Sequence, residues 1–172
     1  MGPLAFALST LGTVCLCVPS LLKGKNMKAV LLLIFFANVF VGAAYALNGS
    51  FSGAVTCGVG AVQTVINYFF ERKDKPIPRY LIVLYALAFT AVNIAVFRQI
   101  ADCLTLLAAL MFVLGISVKS GKNYRLCALA NTVLWIAYDC LTLSFGPLTT
   151  HGIQLATILF GMVMHDRKTN HT

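Results

Sequence analysis

Charge is scarce in this chain. Asp, Glu, Lys and Arg make up 10 % of its 172 residues, where a soluble domain carries roughly 25 %. Acidic groups are rarest, five against 13 Lys and Arg, and the formal net charge is +8. In a soluble protein that excess would suggest nucleic acid. Here too little of the chain is polar to surface a water-soluble enzyme or DNA-binding domain, so no nucleic-acid partner is expected. The six cysteines, at 15, 17, 57, 103, 127 and 140, show neither CxxC nor Cys/His metal spacing. They read as small apolar side chains, with a Cys103–Cys140 disulfide as the alternative. There is no Walker loop, zinc-binding His pair, Gly-x-Ser-x-Gly elbow or intramembrane Asp pair. Neither enzymatic activity nor a cofactor or metal is expected.

Apolar residues fill the space that charge leaves. They are 59 % of the chain, and the mean hydropathy is +0.87. A membrane-spanning helix uses about 20 residues, so seven would take about 140 and leave roughly 30 for connections. Seven apolar runs separate: Pro3–Leu22, Lys28–Leu47, Phe51–Phe70, Tyr80–Phe97, Ile100–Val118, Tyr124–Leu143 and Gly146–Met164. Turn or charge chemistry marks each break, as in Asn48-Gly49-Ser50, the polar run from Glu71, and Phe145-Gly146-Pro147. A rival reading of Met27 to Ala46 as a signal peptide is set aside by the hydrophobic runs that follow it.

The distribution of the 13 basic residues predicts orientation. Lys23, Lys25 and Lys28, then Arg72, Lys73, Lys75 and Arg79, then Lys119, Lys122 and Arg125, and finally Arg167 and Lys168 fall on one side, with Arg98 alone on the other. The positive-inside rule makes that side cytoplasmic and puts the N-terminus outside. His165 and His171 fall in a short polar tail and read as solvated.

An internal repeat emerges next. Gly24-Lys25-Asn26-Met27-Lys28 matches Gly121-Lys122-Asn123-Tyr124-Arg125 at an offset of 97. At an offset of 93, Asn38 matches Asn131, Tyr45 matches Tyr138, and Gly53 matches Gly146. The four-residue difference is about one helical turn, which a helix absorbs without rotating its faces. Three spans repeated directly would be inverted; one intervening helix restores parallel orientation, a known transporter plan. The expected fold is therefore all-α: seven transmembrane helices in a 3+1+3 parallel-repeat arrangement. Its units are a first three-helix bundle (1–73), a linker helix (74–99), a second bundle (100–168) and a short tail (169–172).

This layout resembles the SWEET and PQ-loop superfamily of small-solute transporters, Val18-Pro19-Ser20-Leu21-Leu22-Lys23 being similar to its Pro-Gln helix end. Ser20 stands where that motif has Gln, and Ile116 where the second bundle would carry proline. Arg125, Cys127, Trp135, Ile136, Tyr138 and Gly146 give a closer likeness to the YgjV-type bacterial inner-membrane proteins. The resemblance implies a multi-pass protein of the bacterial inner membrane.

Polar side chains within spans need a bundle partner or a cavity. Asn38 and Asn131 are expected near mid-membrane, either binding a polar solute or tying helices together. Trp135, the only tryptophan, shares a helix face with Asn131. The SWEET likeness implies a solute-stacking role for such a Trp, with Gly42 as its counterpart in the first bundle; packing is the alternative. Gln63, Asn67 and Gln154 are further binding candidates on third helices. Asp102, Asp139 and His151 fall toward the outer helix ends and suggest a proton-responsive gate, or else interfacial groups reaching water. Pro19 is a candidate hinge at the inner end. The expected function is a passive or proton-coupled carrier of a small polar solute, working by rocking of two three-helix bundles in the lipid bilayer, alone or as a homo-oligomer. The alternative is a non-transporting scaffold, partner subunit or immunity-type protein.

Overall fold

The computed structural model describes residues 2–21, 26–117 and 121–166. Among them the chain forms seven α-helices: α1 (Pro3–Leu21), α2 (Met27–Leu47), α3 (Phe51–Arg72), α4 (Arg79–Ala95), α5 (Asp102–Ser117), α6 (Gly121–Leu141) and α7 (Phe145–Asp166). Each apolar run of the sequence has become one helix. Lys23, Lys25, Lys119, Arg167, Lys168 and His171, the Gly24-Lys25 half of the repeat signature, and the side chains of Ser20 and His165 lie outside the described residues.

Local chemistry sets the helix ends. Asn26 caps α2, its side-chain oxygen accepting from the Ala29 N–H at 3.2 Å. The α2–α3 turn places Gly49 at φ +75°, a left-handed conformation that glycine adopts without steric cost. Pro147 sits in the first turn of α7, where its missing N–H has no helical acceptor to lose.

Among the described residues, three helices are long and apolar enough to cross a membrane: α2, α3 and the Phe145–Met164 part of α7. The Pro3–Pro19 part of α1, α4 and α5 are apolar but shorter. The 16 residues of α5 extend about 24 Å, against a hydrocarbon core of about 30 Å. α6 has the length, at 21 residues, but Lys122, Arg125, Asn131 and Asp139 make it more polar than a typical span. The outer surface carries many large apolar side chains, among them Leu11, Leu32, Val62, Leu87, Leu107 and Phe160.

Helices that follow one another in the chain pack together, and contact between α1 and α7 closes the ring. α3 also touches α5, so α4 flanks the seam between them. Asn93 of α4 fastens that seam, its Oδ1 accepting from Thr56 of α3 at 3.2 Å and from Thr105 of α5 at 2.6 Å. Within α1–α3 and within α5–α7 the middle helix carries the packing, rather than three mutually packed helices.

Two corners are built alike. Ser50 N–H bonds to Tyr45 O and Ala54 N–H to Ser50 O at the α2–α3 corner; Ser144 N–H bonds to Asp139 O and Leu148 N–H to Ser144 O at the α6–α7 corner. These pairs stand 94 residues apart, one more than the side-chain matches of the sequence. The corners meet, with Ser50 Oγ 2.9 Å from Ser144 Oγ. Arg98, from the α4–α5 connection, lies over the Phe51 ring at 5.2 Å, so all three connections share one end. Near the opposite end, Lys28 pairs with Asp74 at 3.5 Å.

Candidate functional site

Small residues let the helices approach closely around the ring centre. A Cβ on Gly42 would stand 2.9 Å from that of Cys57, and one on Gly53 would stand 3.0 Å from the Tyr45 ring. Gly42 thus permits close contact of α2 with α3. Gly60 makes room for the Asn38 amide, whose Oδ1 would lie 3.1 Å from an added Cβ.

Inside the ring is a cavity of about 80 Å³, room for roughly five to eight waters. Asn38, Asn131, Trp135 and Gln154 all line it, with His151 and, toward the far end, Pro19. Four of the six binding candidates therefore converge from α2, α6 and α7. Asn38 donates Nδ2–H to Ile34 O at 3.0 Å, and Asn131 donates Nδ2–H to Ala108 O of α5 at 2.7 Å. Each amide has a backbone partner for its nitrogen and keeps its Oδ1 acceptor.

Gln63 and Asn67 do not line this cavity. Both are 1 % exposed. Gln63 has no hydrogen-bond partner for either amide atom, while Asn67 accepts from the Tyr85 hydroxyl at 2.9 Å and leaves its Nδ2 unpartnered. They lie one and two turns beyond Gly60 on α3, which takes them away from the Trp135 level.

The acidic candidates are not interfacial groups reaching water. Asp102, Asp139 and His151 are 3 %, 0 % and 4 % exposed. Asp139 Oδ2 is 2.7 Å from His151 Nδ1, and its Oδ1 accepts the Tyr45 hydroxyl at 2.6 Å. Asp102 Oδ1 accepts from Ser52 Oγ at 2.6 Å, and its Oδ2 accepts the backbone N–H groups of Arg98 and Gln99 at 2.8 and 3.0 Å. Ser52 Oγ is also 2.8 Å from the Tyr138 hydroxyl. Both carboxylates thus have the partners that burial demands.

Aromatic rings pack between these polar groups. Trp135 stacks on His151, centroids 5.6 Å apart at 13°, and on Tyr45 at 5.4 Å and 28°. Tyr138 meets both Tyr45 and Trp135 edge-on. Beyond Tyr138 opens a second recess, lined by Asn48, Ser52, Arg98, Gln99 and Asp102. Tyr45, Tyr138 and Trp135 form a plug between this recess and the central cavity. Side-chain hydrogen bonds join α1–α3 to α5–α7 at the same level: Thr13 to Thr150 at 2.9 Å, Tyr45 to Asp139, Ser50 to Ser144, and Ser52 to both Asp102 and Tyr138.

Sequence reasoning missed Tyr45 and Ser52 as site residues. Tyr45 was visible as the repeat mate of Tyr138, a tyrosine pair close to the mid-span asparagines. Nothing local distinguishes Ser52. Cys103 and Cys140 are both free and exposed, so the disulfide alternative is wrong.

A family model for bacterial inner membrane proteins, Imp-YgjV, matches residues 7–169. The chain belongs to this family. Its setting is the bacterial inner membrane, and the exposed apolar belt is surface that lipid can cover. No curated protein and no solved structure matches it.

Proposed function

We propose that this Imp-YgjV family member is a carrier for a small, uncharged polar solute. The observation that carries the reading is the convergence of Asn38, Asn131, Trp135 and Gln154 on one cavity. Amide groups offer both donors and acceptors to hydroxyls or amides, and an indole face packs on an apolar ring or chain. Among the described residues no Asp, Glu, Lys or Arg lines the cavity, so a charged solute would find only His151 there to balance it, at high cost within a membrane.

Seven crossings with the N-terminus outside place the plugged end at the periplasmic face. α1–α3 and α5–α7 then act as two halves that rock about the cavity, α4 bridging their seam. The matching corners support duplicated halves. Pro19 is the hinge candidate at the cytoplasmic end. Gln63 and Asn67 join the pathway where the helices part toward that end, and the unpartnered Gln63 amide and Asn67 Nδ2 favour such a role.

A second reading treats the protein as a non-transporting scaffold or partner subunit, which the Asn131 bond to Ala108 O favours. Flux into liposomes holding purified protein separates the two, with sugars, polyols and neutral amides as probes. The carrier reading expects saturable uptake that falls at least tenfold in Trp135→Ala and Asn131→Ala while both variants stay folded. Unchanged flux in both variants removes this site, and absence of flux for every probe favours the scaffold.

A further inference from the structure

Asp139 faces two ways. Its Oδ2 holds His151, whose ring lines the cavity, and its Oδ1 holds Tyr45, which belongs to the other half of the ring. The carboxylate therefore connects a group exposed to the cavity contents with the plug that shuts one end. We propose that the Asp139–His151 pair is the proton-binding site of the carrier, and that proton uptake there releases Tyr45 and unlatches the plugged end. The inference rests on the carrier reading and names its coupling ion.

The chemistry follows from the atoms. With His151 Nδ1–H donating to Asp139 Oδ2, Nε2 is the ring nitrogen that receives the incoming proton. The imidazolium so formed neutralises the carboxylate, and no other bond is made or broken. A hydroxyl bonded to an ionised carboxylate is held about twice as strongly as one bonded to a neutral acceptor. The 2.6 Å Tyr45 contact has the short length of that class. Compensating the charge on Asp139 weakens the tie between the halves while Trp135 and Tyr138 stay in place. Histidine is the side chain suited to this switch near neutral pH.

Few other titratable groups face the pair. Tyr45 faces it from α2, Cys57 from α3 and Tyr138 from α6, while Asp102 of α5 is reached through Ser52 and Tyr138. α1 brings only the thiols of Cys15 and Cys17, and α4 has its titratable groups, Arg79, Tyr80 and Tyr85, in its first two turns. On α7, residues 145–164 hold no other ionisable group. Among the described residues, the side chains bonded to Asp139 are Tyr45 and His151, neither of them a lysine or arginine.

Two native reporters test this without transport. Trp135 is the only tryptophan and stacks on His151, and an imidazolium quenches a stacked indole more strongly than a neutral imidazole. In lipid nanodiscs, emission is expected to fall in one step as the pH is lowered. His151→Gln abolishes the step, and Asp139→Asn displaces it. The second reporter is Cys57, buried on the cavity wall. In a variant keeping only this cysteine, labelling by a small charged thiosulfonate is expected to be slow at high pH and at least fivefold faster at low pH, after correction for thiolate fraction. Tyr45→Phe removes the latch bond and gives the fast rate at every pH.

Emission that is flat with pH, or Cys57 labelling indifferent to both pH and Tyr45→Phe, overturns the proposal. Flux that ignores an imposed proton gradient also overturns it and leaves the carrier standing. Absence of all flux beside a normal emission step and a normal Cys57 response sinks the carrier reading and keeps the proton latch.

Discussion

At the scale of single residues, the site depends on what is missing from glycines as much as on what its polar groups supply. Gly42 has the Cys57 Cβ 2.9 Å from where its own would stand, and both atoms are fixed to helix backbones. Gly42→Val is therefore expected to destabilise the fold by about 1–3 kcal/mol, the cost of overpacking. Gly58→Ala, with nothing within 4 Å, is expected to be neutral or stabilising by up to about 1 kcal/mol. Reversible unfolding in mild detergent measures both, and equal losses would show that the α2–α3 contact is looser than described. Asp102→Ala tests the other buried carboxylate. It leaves Ser52 Oγ and the Arg98 and Gln99 N–H groups without their acceptor and is expected to lose about 2–3 kcal/mol. A stability change within about 0.5 kcal/mol, the size seen at unremarkable surface sites, would contradict that role.

At the scale of elements, the helices were legible and their partnerships were not. The run Lys28–Leu47 became Met27–Leu47, and Phe51–Phe70 became Phe51–Arg72, because hydropathy and turn residues act locally. Which faces meet is a non-local matter. Asn38, Asn131, Trp135 and Gln154 could be grouped by depth and by the repeat, and the structure brings them together. Gln63 and Asn67 carry the same side-chain chemistry one and two turns along α3, yet they point to a different part of the interior. The gate candidates Asp139 and His151 were readable as titratable groups in apolar runs; that Tyr45 joins them depends on how α2 meets α6. At this scale Asn93 is the element-level test. Asn93→Leu removes the acceptor that α3 and α5 share and is expected to loosen α4. Faster protease cleavage in the Glu71–Arg79 connection would report it, and cleavage at the wild-type rate would leave Asn93 without that function.

At the scale of the whole molecule, a ring of helices encloses a small cavity whose wall is mostly apolar, with a few amides set into it. The proposed orientation rests on the cations alone and is directly measurable. An impermeant maleimide is expected to reach Arg98→Cys on intact spheroplasts, in a background without native cysteines. Lys73→Cys and Lys122→Cys should react only after lysis. Finding positions 73 and 122 on opposite faces would break the parallel relation of the halves. The most direct test of the central claim is the emission of Trp135 during titration with neutral polar solutes at fixed pH. The account predicts a saturable change with at least one sugar, polyol or amide, lost or greatly weakened in Asn131→Ala and Gln154→Ala. Emission unmoved by every such solute, from a folded protein whose indole still lies in the cavity, would contradict it.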